Sequence, residues 1–281
     1  MALTKVLVIV KTYPTLSTKH IETVCTAGFR EDGTWIRIYP VPFRMLNETY
    51  SKWQWIEADL EQNLKHDDRP ESYHIRDIES LRILEKLDMN ISGTNWLLRR
   101  QWIEKGKRIY TNMTELINSA KSNTLSLAVL KPSEIIDFVC EKREDDTTEK
   151  RALLEERLRI EMAQTYLFDD KALKKNFILA KQIPYKFSYR FKTDDGKKRK
   201  LMIEDWETSM LYLNCLKKCN GNESIACSKV RDKYLKMAKN EIHLIMGTTF
   251  EWHRKKSHNP FVIIGVFAPP FKGDTQLSFD F

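Results

Sequence analysis

Seven basic side chains crowd into residues 186–200: Lys186, Arg190, Lys192, Lys197, Lys198, Arg199 and Lys200. They interleave with Tyr185, Phe187, Tyr189 and Phe191. Alternate side chains of a strand share a face. The four aromatics therefore line one side, which is expected to be core. Lys186, Arg190 and Lys192 line the other, which with the Lys197–Lys200 arm is expected to track phosphates. The competing reading is a charged edge that discourages strand-to-strand aggregation.

Acidic chemistry concentrates at Glu204, Asp205 and Glu207, beside Trp206 and just after a strand-like run. Carboxylates at a strand end can hold Mg²⁺ for phosphodiester chemistry. Asp205 is better explained as a helix N-cap, with Glu207 favouring the helix dipole. His253, in a Lys/Arg-rich loop, is a candidate phosphate contact or general acid/base, whereas His258 reads as surface. No P-loop, GxGxxG or Ser/His/Asp order is present. Catalytic residues are therefore unknown, with Glu204, Asp205, Glu207 and His253 as candidates. No cofactor is expected, and Mg²⁺ enters only if the chain is a nuclease.

A specific pocket is expected where residues 13–19 (YPTLSTK) lead into Cys25-Thr26-Ala27-Gly28 and the run 35–44 (WIRIYPVPFR). Small residues let a ligand or another backbone approach a strand closely. Arg37 and Arg44, near Trp35 and Tyr39, are candidates to contact a phosphate or a base. A further basic group, Arg99, Arg100, Lys107 and Arg108, lies around Trp96 and Trp102. It is either a second phosphate-contacting patch or, the favoured reading, ordinary surface over core tryptophans. Cys215, Cys219 and Cys227 lack a paired CxxC knuckle, so no zinc site is expected.

These residues need elements to hold them. Apolar or alternating runs predict strands over 5–11, 22–30, 34–39 and 53–60, with a hairpin turn at Asp32-Gly33. Short helices are predicted over 96–105 and 113–121, the second capped by Asn112 or Thr114. Strands over 125–130 and 135–140 are expected to return to the first sheet. A charged helix over 148–164 carries Leu154, Leu158 and Met162 at four-residue spacing. A second hairpin follows over 184–203, turning at Asp194-Asp195-Gly196. Helices over 205–217 and 228–239 and strands over 242–250 and 261–267 complete the chain. The expected fold class is α+β, with two antiparallel, barrel-like β modules joined and covered by helices. The expected domains are 1–142 (a β-rich module with a helical insert), 143–182 (a helical bridge), 183–270 (an α+β module) and 271–281 (a tail).

The chain has 281 residues, enough for one large domain or two ordinary ones. Lys and Arg number 47 against 39 Asp and Glu, a formal charge of +8, which favours a polyanionic partner. No run approaches a membrane span, and no signal peptide precedes the first strand, so a cytoplasmic location is expected. Five cysteines, an odd count, argue against a disulfide framework.

The segments KTYPTLSTKHIETVCTAGFREDGTWIRIYPVPFR, PYKFSYRF, EDWE and FVIIGVF resemble a bacterial and phage-associated protein family. The first is also similar in layout to small β-barrel nucleic-acid binders. The family resemblance supplies no catalytic residues. The C-terminal Gln276, Leu277, Phe279 and Phe281 resemble the peptide by which bacterial replication and repair proteins bind the sliding clamp. That resemblance implies that Gln276 bonds the groove rim and that Leu277, Phe279 and Phe281 fill its pockets. The leading expectation is a nucleic-acid-binding protein, with DNA the expected partner, in phage defence or a mobile element. Two alternatives stand beside it: a metal-dependent nuclease or other nucleic-acid-modifying enzyme, and a protein-interaction subunit of a larger complex.

Overall fold

The computed structural model describes residues 3–43, 49–62, 64, 66–87, 95–105, 108–144, 148–165 and 179–271. The fold is α+β. Its first sheet contains β1 (Thr4–Lys11), β2 (Thr15–Ser17), β3 (Ile21–Phe29), β4 (Trp35–Pro42), β5 (Gln54–Ala58), β6 (Leu60–Gln62), β7 (Ser72–Ile75) and β8 (Arg82–Lys86). The strand order is β6-β7-β4-β3-β1-β5-β8, with β2 alongside β3. The sheet curls into a half-barrel and is mixed, because β4 and β7 pair in parallel.

The run from Val6 to Val10 is apolar throughout because β1 is buried on both faces. Val6 and Val8 point into the curl with Val24, Ile36, Ile38 and Ile56. Leu7, Ile9 and Val10 point outward, against Leu127, Val129, Ile245 and Ile264. The turn to β4 relies on Gly33 at φ 86°, with Asp32 Oδ1 accepting from Thr34 N at 2.8 Å. Gly28 has a different reason to be glycine. A Cβ there would lie 2.0 Å from the carbonyl oxygen of Leu7. The small-residue run thus admits the neighbouring strand rather than a ligand.

Helix α1 (Asn95–Glu104), β9 (Ile109–Tyr110) and α2 (Met113–Lys121) follow. Asn112 caps α2 through its Oδ1, which accepts from Thr114 N and Glu115 N. Next come β10 (Leu127–Leu130), β11 (Glu134–Lys142) and α3 (Thr148–Thr165). The C-terminal part holds β12 (Tyr185–Lys192), β13 (Lys198–Met202), α4 (Trp206–Lys218) and α5 (Glu223–Met237). It ends with β14 (His243–Thr248), α6 (Phe250–Arg254) and β15 (Phe261–Phe267).

The expectation that the strands near 125–140 rejoin the first sheet is corrected. β10 lies in a second sheet of order β15-β14-β10-β9, in which β9 and β10 pair in parallel. β11 lies in a third sheet of order β11-β12-β13. The second sheet is the middle layer of the molecule. Leu127 and Val129 face the first sheet, whereas Ala128 and Leu130 face α2, α4, α5 and the third sheet. Burial on both sides explains why LAVL carries no polar alternation.

No helix among the described residues is long and apolar enough to cross a membrane.

Candidate functional site

Arg37 points from β4 toward the second sheet and is 2% exposed. A buried guanidinium needs acceptors, because an unpaired charge there costs several kcal/mol. Its Nη1 donates to Ser126 Oγ at 2.7 Å, and its Nη2 to Ser126 O at 3.1 Å and Thr248 O at 3.4 Å. Ser126 Oγ in turn donates to Glu71 Oε2 at 2.6 Å. Arg69, also buried, donates to Thr248 O at 2.7 Å and holds Asp67 through two bonds of 2.8 and 2.6 Å. Burial, aided by the nearby Arg69 charge, lowers Arg37 to about 10, so it stays a cation at neutral pH.

Beside this network lies a cavity of about 500 Å³. Thr12, Tyr13 and Cys25 of the first sheet region form one side. Tyr185 and Phe187 of β12 and Ile203 form another. Thr249, Phe250 and Ile264 close a third. Six of its charged lining residues are cations: Arg37, Arg69, Arg143, Lys150, Arg151 and Lys181. Two, Glu22 and Glu204, are acids. Helix α3 supplies Lys150 and Arg151. Lys150 Nζ donates to Leu16 O at 3.0 Å, and Arg151 Nη1 to Ala180 O at 3.1 Å. Glu22 Oε1 accepts from Ala180 N at 2.8 Å.

Burial pushes the Cys25 thiol and the Glu204 carboxyl up, with Arg143 drawing Glu204 the other way. Burial and then Glu22 raise Tyr13 to about 12; its hydroxyl donates to Lys181 O at 2.8 Å. The hydroxyls of Thr248 and Thr249 have no hydrogen-bond partner among the described residues.

Of the runs expected to form a pocket, Tyr13, Thr15, Leu16, Cys25, Arg37 and Tyr39 line the cavity, whereas Thr26, Ala27, Gly28 and Trp35 do not. Arg37, however, is committed to protein acceptors and does not reach solvent. Trp35 packs on Phe29, at 4.4 Å between ring centroids, rather than on the cavity. Arg44 lies outside the described residues.

The basic hairpin is largely self-paired. Arg199 forks onto Asp195 with bonds of 2.8 and 2.6 Å. Lys192 pairs with Glu134 at 2.8 Å and Lys200 with Glu141 at 2.9 Å. Lys186 is half-buried and engaged. Arg190, Lys197 and Lys198 are exposed without an ion pair among the described residues. Phe187, Tyr189 and Phe191 are buried in the largest hydrophobic cluster.

The acidic group disperses. Asp205 caps α4 by accepting from Glu207 N and binds Lys52 Nζ at 2.7 Å, while Glu207 binds the same amine at 3.0 Å. Burial pushes the Asp205 carboxyl up against the pull of Lys52. Glu204 turns away to the cavity. His253 is buried, with Nε2 2.8 Å from Asn123 Oδ1. Among the described residues, no three His, Cys, Asp or Glu side chains are grouped to hold a metal ion.

In the second basic group, Arg100 is buried against Glu241, and Arg108 pairs with Glu115 at 2.5 Å. Lys107 and the tail residues Gln276, Leu277, Phe279 and Phe281 lie outside the described residues.

Arg69, Arg143, Lys150 and Arg151 were not singled out from sequence. Arg143, Lys150 and Arg151 lie within nine residues around the start of α3, and only the fold brings them to Arg69 and the first sheet.

Residues 2–105 match the domain of unknown function DUF8758, and residues 109–280 match the domain of unknown function DUF8757. The second match spans more than half of the chain, which belongs to that family. No curated protein matches it. The cavity draws its walls from both matched segments.

Proposed function

We propose that the chain binds nucleic acid and draws a phosphate-bearing part of the strand into this cavity. The supporting observation is the lining: six cations against two acids around an opening of ligand size. Arg37 and Arg69 are balanced from behind by Glu71 and Asp67. Arg151 is paired with Glu155 at 2.9 Å and Arg143 faces Glu204, so the field at the mouth comes chiefly from Lys150 and Lys181. A concave cationic surface with low-dielectric walls concentrates polyanions. Exposed Arg190, Lys197 and Lys198 extend the contact to a second place on the surface. DNA remains the expected polymer.

A nuclease reading finds less support in the geometry. Asp205 and Glu207 already share Lys52, and only Glu204 of the acidic group reaches the cavity.

Fluorescence anisotropy with labelled single-stranded DNA, duplex DNA and RNA across a salt series tests the proposal. Affinity should fall steeply with salt. For single strands each phosphate contact contributes about 0.7 to the slope of log K against log salt. Lys150→Ala combined with Lys181→Ala should therefore reduce that slope by about 1.4. Absence of binding to all three polymers at low salt overturns the proposal.

A further inference from the structure

We propose that the cavity is a site for one nucleoside phosphate unit, with the base against its apolar wall and the phosphate at its cationic mouth. The choice of ligand rests on the nucleic-acid reading. The lining itself combines two chemistries that few ligands need together. Phe187, Ile203, Phe250 and Ile264 present an apolar wall. Lys150 and Lys181, which are exposed, place ammonium groups at the opening. A bare inorganic anion has no use for the wall, and a purely apolar ligand has no use for the cations. A nucleotide uses both, because a flat base carries its phosphate at one end.

Size selects a single unit. A volume of about 500 Å³ falls within the roughly 300–1,000 Å³ range of small-ligand pockets. It equals a cube about 8 Å on a side, and a duplex is wider than its own roughly 12 Å major groove, so no duplex enters. A base that leaves its stack is held by ring or apolar contacts on its faces and hydrogen bonds on its edge. Glu204, Ser209 and Thr249 line the cavity with groups that make such edge bonds, and the Thr249 hydroxyl is without a partner among the described residues. The raised Glu204 carboxyl has a form that donates as well as accepts, as a base edge requires.

Free mononucleotides and nucleotides splayed from a strand present the same chemistry, so the test has two arms. Calorimetry compares nucleoside 5′-monophosphates with ribose 5-phosphate. Anisotropy compares an oligonucleotide with one of the same length carrying abasic sites. Holding a base against the wall should favour the base-bearing ligand by about tenfold in at least one arm. Preference in the first arm marks free nucleotides as a source, and preference in the second marks an extruded nucleotide. Val262→Phe and, separately, Ser209→Phe fill the cavity from two elements and should erase the preference. Thermal melting checks that each variant is folded; if either is not, the two ratios on the unaltered chain decide. Ratios near one in both arms, or a preference that survives filling, overturn the inference. Oligonucleotide binding without any base preference would leave the nucleic-acid reading standing and remove this one. A mononucleotide preference without oligonucleotide binding would do the reverse.

Discussion

Lys11 is the residue whose placement most needs a physical account. It ends β1 with 4% exposure and no ion pair among the described residues. Its Nζ donates to Tyr50 O at 3.2 Å and lies 4.6, 5.0 and 5.6 Å from the ring centres of Trp206, Tyr50 and Phe43. Burial lowers it from 10.5 to about 8, while the three ring faces favour the ammonium and oppose that shift. A lysine lowered in the folded state binds its proton less tightly there than in the unfolded chain. Stability should therefore rise as pH climbs from about 8 to 10.5. Lys11→Met should raise stability at pH 7 and remove that rise, as read by urea midpoints across the window. A Met variant less stable at pH 7 would mean that the rings outweigh the burial cost. Arg37 reaches a different settlement, burying a cation by bonding Ser126 and Thr248, so its role is to join the two sheets.

At the scale of elements, α3 stands apart. It is charged along most of its length, and among the described residues its buried Leu154 and Leu158 pack with Ile21, Leu179 and Leu16 in a small satellite cluster. Arg157 Nη1 adds a bond to Thr18 O at 2.9 Å. A single helix of this length is marginal in water without packing. Leu154→Ala with Leu158→Ala should therefore speed hydrogen exchange in α3 and leave β1 and β14 protected. Equal loss of protection in β1 and β14 would place α3 in the main core instead. The four-residue spacing of Leu154 and Leu158 made this helix legible in the sequence. The turn at Gly196, with φ 72°, and the Asn112 cap were legible for the same reason: each is a bargain struck within a few residues. The partners of β10 and β11 were not. LAVL states that a strand is buried, not against what, and its partner lies more than a hundred residues away at β14. The cavity divides along the same line. Tyr13, Cys25, Arg37 and Tyr39 share one sheet region and fell within the runs expected to form a pocket, beside Thr26, Ala27, Gly28 and Trp35, which do not line the cavity. Arg69 on one side and the nearby Arg143 and Lys150 on the other meet that sheet region only through the fold.

At the scale of the molecule, the two matched segments share one interior. Leu7, Ile9 and Phe29 from the first pack with Leu127, Val129, Ile245 and Phe267 from the second. Arg37 with Ser126, Lys52 with Asp205 and Arg100 with Glu241 cross the same boundary by hydrogen bonds. The cavity sits where that boundary opens, a common place for ligand sites. Its walls come from both segments while the cations at its mouth come from the second, so neither segment alone encloses the site. The most direct measurement of the central claim is ultraviolet crosslinking of a bound single-stranded oligonucleotide, with the linked peptides mapped by mass spectrometry. Crosslinks at Tyr13, Cys25, Tyr39 or Tyr185 are predicted, because these side chains line the cavity. Crosslinks confined to the 190–200 hairpin, with none on the cavity walls, would contradict the account.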